Sequence, residues 1–181
     1  MKLLKHVSVL LLTFLAFGVS VYMMQQLIGL ASPWMVLMLF FCFLGLAKIA
    51  EPIYMLKLPR GIRAIRPWEL QSDLYRKLAV PQFGTLLKST PLRLLNTSVY
   101  VSRNRRDRSS ISRQVESAEA IHFWAAILLL PYLVFGLWQR RWGALAGFAV
   151  VEIVGNAYPI MHLRYVRARL AAPANRNERR M

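Results

Sequence analysis

The chain has 181 residues, 56% of them hydrophobic, and its 24 Lys and Arg against 8 Asp and Glu give a formal net charge of +16. That length suits one compact unit or a small helical bundle, and the hydrophobic fraction is above the usual range for soluble domains. A basic soluble protein would point to nucleic acid. Here the basic residues alternate in blocks with long apolar runs, so no nucleic-acid partner is expected and the first partner is the anionic face of a membrane. The single cysteine, Cys42, lies inside an apolar run and excludes an intrachain disulfide and any cysteine-based metal site.

The first apolar run extends from about residue 7 to residue 30, follows Lys2, Lys5 and His6, and holds no charge. A signal peptide opens in the same way, with Ala16 and Gly18 near a cleavage point, but the run exceeds an apolar signal region of ~7–15 residues and continues into more apolar sequence. The second run, from about residue 31 to residue 50, reaches the ~20 residues that a bilayer core requires if Lys48 snorkels to the interface. Gln25 to Ser32 is a short uncharged linker, so the first two runs read as a helical hairpin. The third run covers about residues 121–138 and the fourth about 142–163, with Gln139, Arg140 and Arg141 as the turn between them. Trp138 and Trp142 flank that turn, as aromatic-belt residues do.

The predicted fold is therefore all-α: a polytopic membrane protein whose four transmembrane helices form two hairpins in a single membrane domain. Of the 24 Lys and Arg, 13 lie in residues 51–118, six after Met161, two at the N-terminus and two in the second hairpin turn. The positive-inside rule then places both termini, the 51–118 segment and the basic 164–181 tail in the cytoplasm. Within 51–118, Pro67-Trp68 followed by Leu70, Leu74, Tyr75 and Leu78 reads as a helix start with an apolar stripe. Leu86, Leu87, Leu92, Leu94 and Leu95 make a second apolar patch, interrupted by Pro91. Interfacial helices on the leaflet and helices packed on the bundle both fit these patterns. The run from Arg103 to Arg113 holds five Arg and reads either as a solvated or lipid-facing stretch or as an anion site.

Polar groups in or beside membrane helices are costly, so each is a candidate site. Glu119 and His122 are spaced i,i+3, which puts them on one helix face, with Glu116 one turn earlier. A carboxylate beside an imidazole fixes its tautomer and raises its basicity, which suits proton removal from a hydroxyl; a helix-entry cap is the plain alternative. The fourth run ends with Asn156, His162, Arg164, Arg167 and Arg169. Asn156 precedes Arg164 by eight residues, roughly 12 Å of helix, and falls near the face of Arg167. Pro159 removes a backbone hydrogen bond there. Glu152 must face a protein interior or be neutral, either lining a substrate site or pinning helices together. The chain has no HExxH, Walker or GxSxG motif, and its three histidines, His6, His122 and His162, are too scattered to suggest a metal.

Two segments carry a family resemblance: Ala118-Glu119-Ala120-Ile121-His122-Phe123, and the stretch from Asn156-Ala157-Tyr158-Pro159 to His162-Leu163-Arg164-Tyr165-Val166-Arg167-Ala168-Arg169-Leu170. Their order, with an apolar hairpin between, resembles the glycosyl-4,4'-diaponeurosporenoate acyltransferase family of staphyloxanthin synthesis over about residues 114–170. The resemblance implies a small bacterial membrane protein that moves a fatty acyl group onto the sugar of a glycosylated carotenoid. The matching positions are Glu119, His122, Asn156, Arg164, Tyr165, Arg167 and Arg169. The sequence departs from the family pattern at Phe123 (Trp in the family), Leu163 (Gln) and Val166 (Asn), and Glu152 lies outside that pattern.

The first expectation is a membrane O-acyltransferase of the bacterial inner membrane working at the cytoplasmic leaflet. It would use acyl-CoA or another acyl donor as co-substrate and no bound cofactor. Its partners would be membrane lipids and a lipid-like or glycolipid acceptor, with oligomerisation left open. From residue chemistry, His122 oriented by Glu119 would take the hydroxyl proton and Asn156 would donate to the oxyanion. Arg164 and Arg167, with the Arg103–Arg113 run, would hold phosphates; Tyr165, Arg169 and Glu152 complete the expected substrate-binding set. The second expectation is a non-enzymatic scaffold or headgroup-binding subunit, in which Glu119 and His122 pair to hold helices. A transporter is disfavoured, because four helices would have to oligomerise to form a path and only Glu152 is a mid-membrane polar group.

Overall fold

The computed structural model describes residues 2–54, 57–71, 73–90 and 108–178. Among the described residues every regular element is helical: α1 (Lys2–Ile28), α2 (Pro33–Tyr54), α3 (Arg60–Arg63), α4 (Pro67–Gln71), α5 (Leu74–Lys77), α6 (Val80–Ser89), α7 (Arg108–Trp138), α8 (Trp142–Val151), a π-helical turn (Glu152–Ala157) and α9 (Tyr158–Glu178). Four stretches are long and apolar enough to cross a membrane: Val7–Ile28, Pro33–Ala50, Ile111–Trp138 and Trp142–Ala171. The all-α, polytopic architecture expected from the apolar runs is the observed one. The third stretch starts earlier than the hydropathy edge at residue 121, because α7 carries its first turns through the polar sequence from Arg108. The patch at Leu92, Leu94 and Leu95 and most of the Arg103–Arg113 run lie outside the described residues.

The chain divides into two compact units: Met1–Leu56 with Ile121–Asn156, and Lys57–Ala120 with Ala157–Met181. In the first unit α1 packs on α2, and α2 packs most extensively on α8. Met35, Val36, Leu39 and Phe40 of α2 meet Leu129 and Tyr132 of α7 and Ala144 and Phe148 of α8 in one buried cluster. Gly29, at φ 75°, ends α1 in the left-handed conformation that glycine tolerates best. The next carbonyl, that of Leu30, accepts a 2.5 Å hydrogen bond from the Tyr132 hydroxyl. That bond gives a partner to a backbone acceptor which the bilayer could not supply. Leu11, Leu12, Leu15, Leu27, Trp34, Trp138 and Trp142 stand exposed, as a lipid-facing surface requires.

Pro159 cannot donate to the carbonyl of Gly155 four residues earlier, and its ring crowds that carbonyl. The helix answers with the π turn at Glu152–Ala157 rather than with a break. The missing β-carbon at Gly155 lets the Phe40 ring lie against this turn; a Cβ there would come within 2.7 Å of the ring.

In the second unit α4 and α6 pack on α9, and α5 packs on α6. Trp68, Leu74, Leu78 and Leu86 of these helices keep exposed apolar surface. Leu58, Tyr75, Val80, Val115, Leu163 and Ala168 form the buried apolar set. Residues 57–120 therefore belong to a compact unit with its own interior, which their high Arg content conceals at the level of sequence. Gly84 of α6 lies against the ring of His162, and a β-carbon there would overlap it.

Gly84→Ala is expected to destabilise the protein by roughly 1–3 kcal/mol, the usual cost of overpacking. Gly45 of α2, which has nothing within 4 Å of an added Cβ, should take alanine with no loss. Thermal unfolding of the two detergent-solubilised variants measures the contrast, and equal melting temperatures would remove His162 as a packing constraint on α6.

Candidate functional site

Two groupings of polar side chains are built inside the fold, one in each unit. The larger lies in the second unit and centres on Glu119, which is fully buried. Its Oε1 accepts from Arg164 Nη1 at 2.9 Å and its Oε2 from Arg167 Nη1 at 2.5 Å. Arg164 and Arg167 are three residues apart on α9, so both guanidiniums reach the same side of that helix. Arg164 Nη2 also donates to Glu69 Oε1 at 2.6 Å, and Glu69 is only 5% exposed. The backbone of 62–64 closes the cluster: Arg164 donates to the carbonyls of Ile62 and Ala64, and Arg167 to that of Arg63. Arg63 in turn pairs with Glu116 at 2.6 Å in a more exposed position.

Glu69 is set by the first turn of α4. It is the third residue of that helix, and its Oε2 accepts the backbone N–H of Arg66, the reach-back half of a capping box. Tyr75 packs beside it, with its ring 5.7 Å from that of Tyr165. Burial, and then the Glu69 carboxylate, push the Tyr75 phenol above its ordinary range against the opposing pull of Arg164. Arg169 is exposed and lays its guanidinium over the Tyr165 ring at 5.7 Å.

The donor count limits what these arginines can do. A guanidinium has five N–H groups, and each terminal nitrogen of Arg164 already donates twice. Four of the five N–H groups of Arg164 are therefore engaged by carboxylates and carbonyls. Three Arg and three Glu make the cluster formally neutral. Such an arrangement clamps the 62–69 backbone to α9; a phosphate would have to displace partners to enter it. Among the described residues no carboxylate pairs with Arg169.

The smaller grouping lies in the first unit. His122 of α7 lies near the Asn156 side chain and the Gly155 backbone. Asn156 is 1% exposed and donates from Nδ2 to Glu152 Oε1 at 3.1 Å. His122 Nδ1, Asn156 Oδ1 and the nearby-in-sequence Trp124 Nε1 are buried without an aligned hydrogen-bond partner. Unpaired buried polar atoms are uncommon, and each calls for an explanation such as an ordered water, strain or a catalytic role.

The expected pairing of Glu119 with His122 is not the one these side chains make. Both Glu119 oxygens are held by Arg164 and Arg167, and the neighbours of His122 are Asn156 and Gly155. The i,i+3 rule finds neighbours along one helix and is blind to partners 45 and 48 residues away. Glu69 and Arg63 were not singled out by the sequence, and Tyr75 was read only as part of an apolar stripe. The available signal for Glu69 was a proline at the first helical position with an acid two residues later, the pattern of a helix start. Among the described residues no cluster of His, Cys, Asp and Glu could hold a metal ion.

Fold and sites together define a polytopic helical membrane protein with a neutral ion cluster in one unit and an imidazole–amide–carboxylate grouping in the other. The family model described as glycosyl-4,4'-diaponeurosporenoate acyltransferase matches residues 59–176, about two thirds of the chain, and the protein belongs to that family. The match contains every residue of both groupings. No curated protein and no solved structure matches the chain.

Removing one partner of a buried ion pair leaves an uncompensated charge and costs roughly 3–5 kcal/mol. Glu119→Ala, which strands two guanidiniums, should lower stability by that amount, whereas Glu116→Ala, at the exposed Arg63 pair, should cost about 1 kcal/mol or less. Denaturation of the purified protein in one detergent gives both values. A Glu119→Ala curve overlying the wild type would remove the clamp.

Proposed function

We propose that the protein is a membrane O-acyltransferase of the bacterial inner membrane that moves a fatty acyl group from a thioester donor to a sugar hydroxyl of a glycosylated, lipid-like acceptor. The family supports the reaction class and suggests a glycosyl carotenoid acid as acceptor. The Lys and Arg distribution supports cytoplasmic termini and chemistry at the cytoplasmic leaflet. The observation that carries the chemical reading is His122, buried near the Asn156 amide with its own Nδ1 unpartnered.

In this reading the acceptor hydroxyl oxygen attacks the acyl carbonyl carbon while its proton passes to the unprotonated nitrogen of His122. The carbonyl oxygen becomes an oxyanion, to which the second Nδ2 hydrogen of Asn156 can donate. The C–S bond then breaks, the ester C–O bond is complete, and His122 returns the proton to the departing thiolate. Glu119 is assigned to structure, since its carboxylate is buried between two guanidiniums. Contact with donor phosphates falls to Arg169, with Tyr165 beneath it, because four of the five Arg164 donors are engaged and Arg167 is held by Glu119 and the Arg63 carbonyl. The scaffold reading draws on those same bonds, in which Arg164 and Arg167 tie α9 to Glu119 and the 62–64 backbone.

Membranes carrying the protein, supplied with radiolabelled long-chain acyl-CoA and glycosyl-4,4'-diaponeurosporenoate, test the proposal. His122→Ala is expected to lose transfer by a factor of about 100 or more, within the usual range for a general base, while inserting and melting as the wild type does. Arg169→Gln is expected to raise KM for the acyl-CoA without changing thermal stability. Undiminished transfer by a well-inserted His122→Ala protein would leave the scaffold reading in place.

A further inference from the structure

We propose that a pocket in the second unit is a lipid site that receives the uncharged glycerol-ester end of a diacylglycerol-type lipid. The pocket encloses about 260 Å³ and is lined by Ile65, Ser112, Arg167, Leu170 and Ala171. Neither His122 nor Asn156 lines it, so it is not part of the chemistry assigned to those residues. Whole small-molecule sites run to roughly 300–1,000 Å³. A pocket of this size takes one end of a molecule whose remainder lies outside it.

Two helices set its depth. Ser112 is the second residue of the span Ile111–Trp138, and Leu170 and Ala171 are the last two of the span Trp142–Ala171. Those spans hold 28 and 30 residues. At about 1.5 Å per residue they are roughly 42 and 45 Å long. That matches the ~40–45 Å of a bilayer with its interfacial regions, and exceeds the ~30 Å of its hydrocarbon core. The span ends that line the pocket therefore reach the layer where lipids carry their glycerol esters and headgroups.

The walls select within that layer. Ile65, Leu170 and Ala171 are aliphatic, and the donors come from Arg167 and Ser112. Arg167 is 8% exposed; it uses Nη1 for Glu119 and Nη2 for the Arg63 carbonyl, and its Nε–H takes no part in these bonds. Its charge is already balanced, because Glu119 and Glu116 approach it at 2.5 and 4.0 Å. A phosphate here would bring a charge with nothing left to neutralise it, beside two carboxylates. An ester carbonyl or glycerol hydroxyl brings an acceptor oxygen without a charge, and the aliphatic walls suit the carbon chain that follows. Arg169, the exposed cation, is two residues from Arg167, which is about 200° around a helix. An anion held at Arg169 would thus lie on a different face of α9 from the pocket.

The test uses the full-length chain in nanodiscs of ether-linked phosphatidylcholine, which brings no ester carbonyl. Cys42 is the single cysteine, so Cys42→Ala combined with Ser112→Cys puts one thiol in the pocket wall. Its alkylation by N-ethylmaleimide is timed with dioleoylglycerol or dioleoylphosphatidic acid added; the two share tails and esters and differ by the phosphate. Dioleoylglycerol is expected to slow alkylation roughly tenfold once it is at about ten times its dissociation constant, and the phosphatidic acid to slow it no more than about twofold. Thermal unfolding of the chain without these cysteine changes gives a second readout: dioleoylglycerol should raise the melting temperature, and Ala171→Leu, which narrows the pocket, should remove that rise. Equal or better protection by phosphatidic acid, protection by neither lipid, or a melting-temperature rise that survives Ala171→Leu would overturn the proposal. Neither readout depends on acyl transfer, so the pocket stands or falls apart from the assignment of His122.

Discussion

Everything in the second unit is organised around one buried carboxylate. Glu119 has no exposed surface, and an isolated carboxylate in such a place would be prohibitively costly. Its two oxygens each take a guanidinium, but guanidiniums bring their own demand for acceptors. That demand is met by Glu69 and by the carbonyls of Ile62, Arg63 and Ala64. The short helices α3 and α4 are thus held by groups that must be satisfied, and not by apolar area alone. Their apolar contribution is small: α3 buries no residue, and Trp68 of α4 is half exposed. A buried ion network is weak evidence for stability relative to an apolar core of the same shape. It is strong evidence for register, because sliding α9 by one residue would leave several charges without partners at once.

The membrane architecture was legible because the bilayer imposes a length. Runs of about 20 apolar residues have few soluble explanations, and all four correspond to helices. The 51–118 segment was harder to read, since its compactness comes from long-range polar contacts that leave no periodic trace. Glu119, Arg164 and Arg167 could be picked out by the cost of charge near apolar sequence, yet their pairing could not, because it joins α7 to α9. The effect of Pro159 was legible as a lost hydrogen bond, while its form was not. Whether a helix kinks or inserts a π turn depends on its packing, and here the Phe40 ring lies against the turn at Gly155.

The two groupings treat polar atoms in opposite ways, and that contrast bears on function. In the ion cluster almost every donor and acceptor is satisfied within the protein. In the first unit, His122 Nδ1 and Asn156 Oδ1 remain without an aligned partner although Asn156 is buried. Four of the five Arg164 N–H groups find acceptors, whereas the imidazole of His122 keeps an unmatched buried nitrogen.

The neutrality of the cluster also changes what the overall charge means. Three of the eight acidic residues and three of the 24 basic ones cancel there, so the formal +16 belongs wholly to residues outside it. The basic excess is therefore not consumed in holding the fold together. It remains on side chains such as Arg60, Arg66, Arg76 and Lys77, which are exposed, and Leu74 and Leu78 beside the last two are also exposed. Exposed leucines interleaved with cations are poorly suited to water and well suited to an anionic leaflet, where each nearby cation contributes on the order of 1 kcal/mol. The charge that suggested a membrane topology at the level of sequence is thus left free for that purpose, because the internal arginines are neutralised by carboxylates.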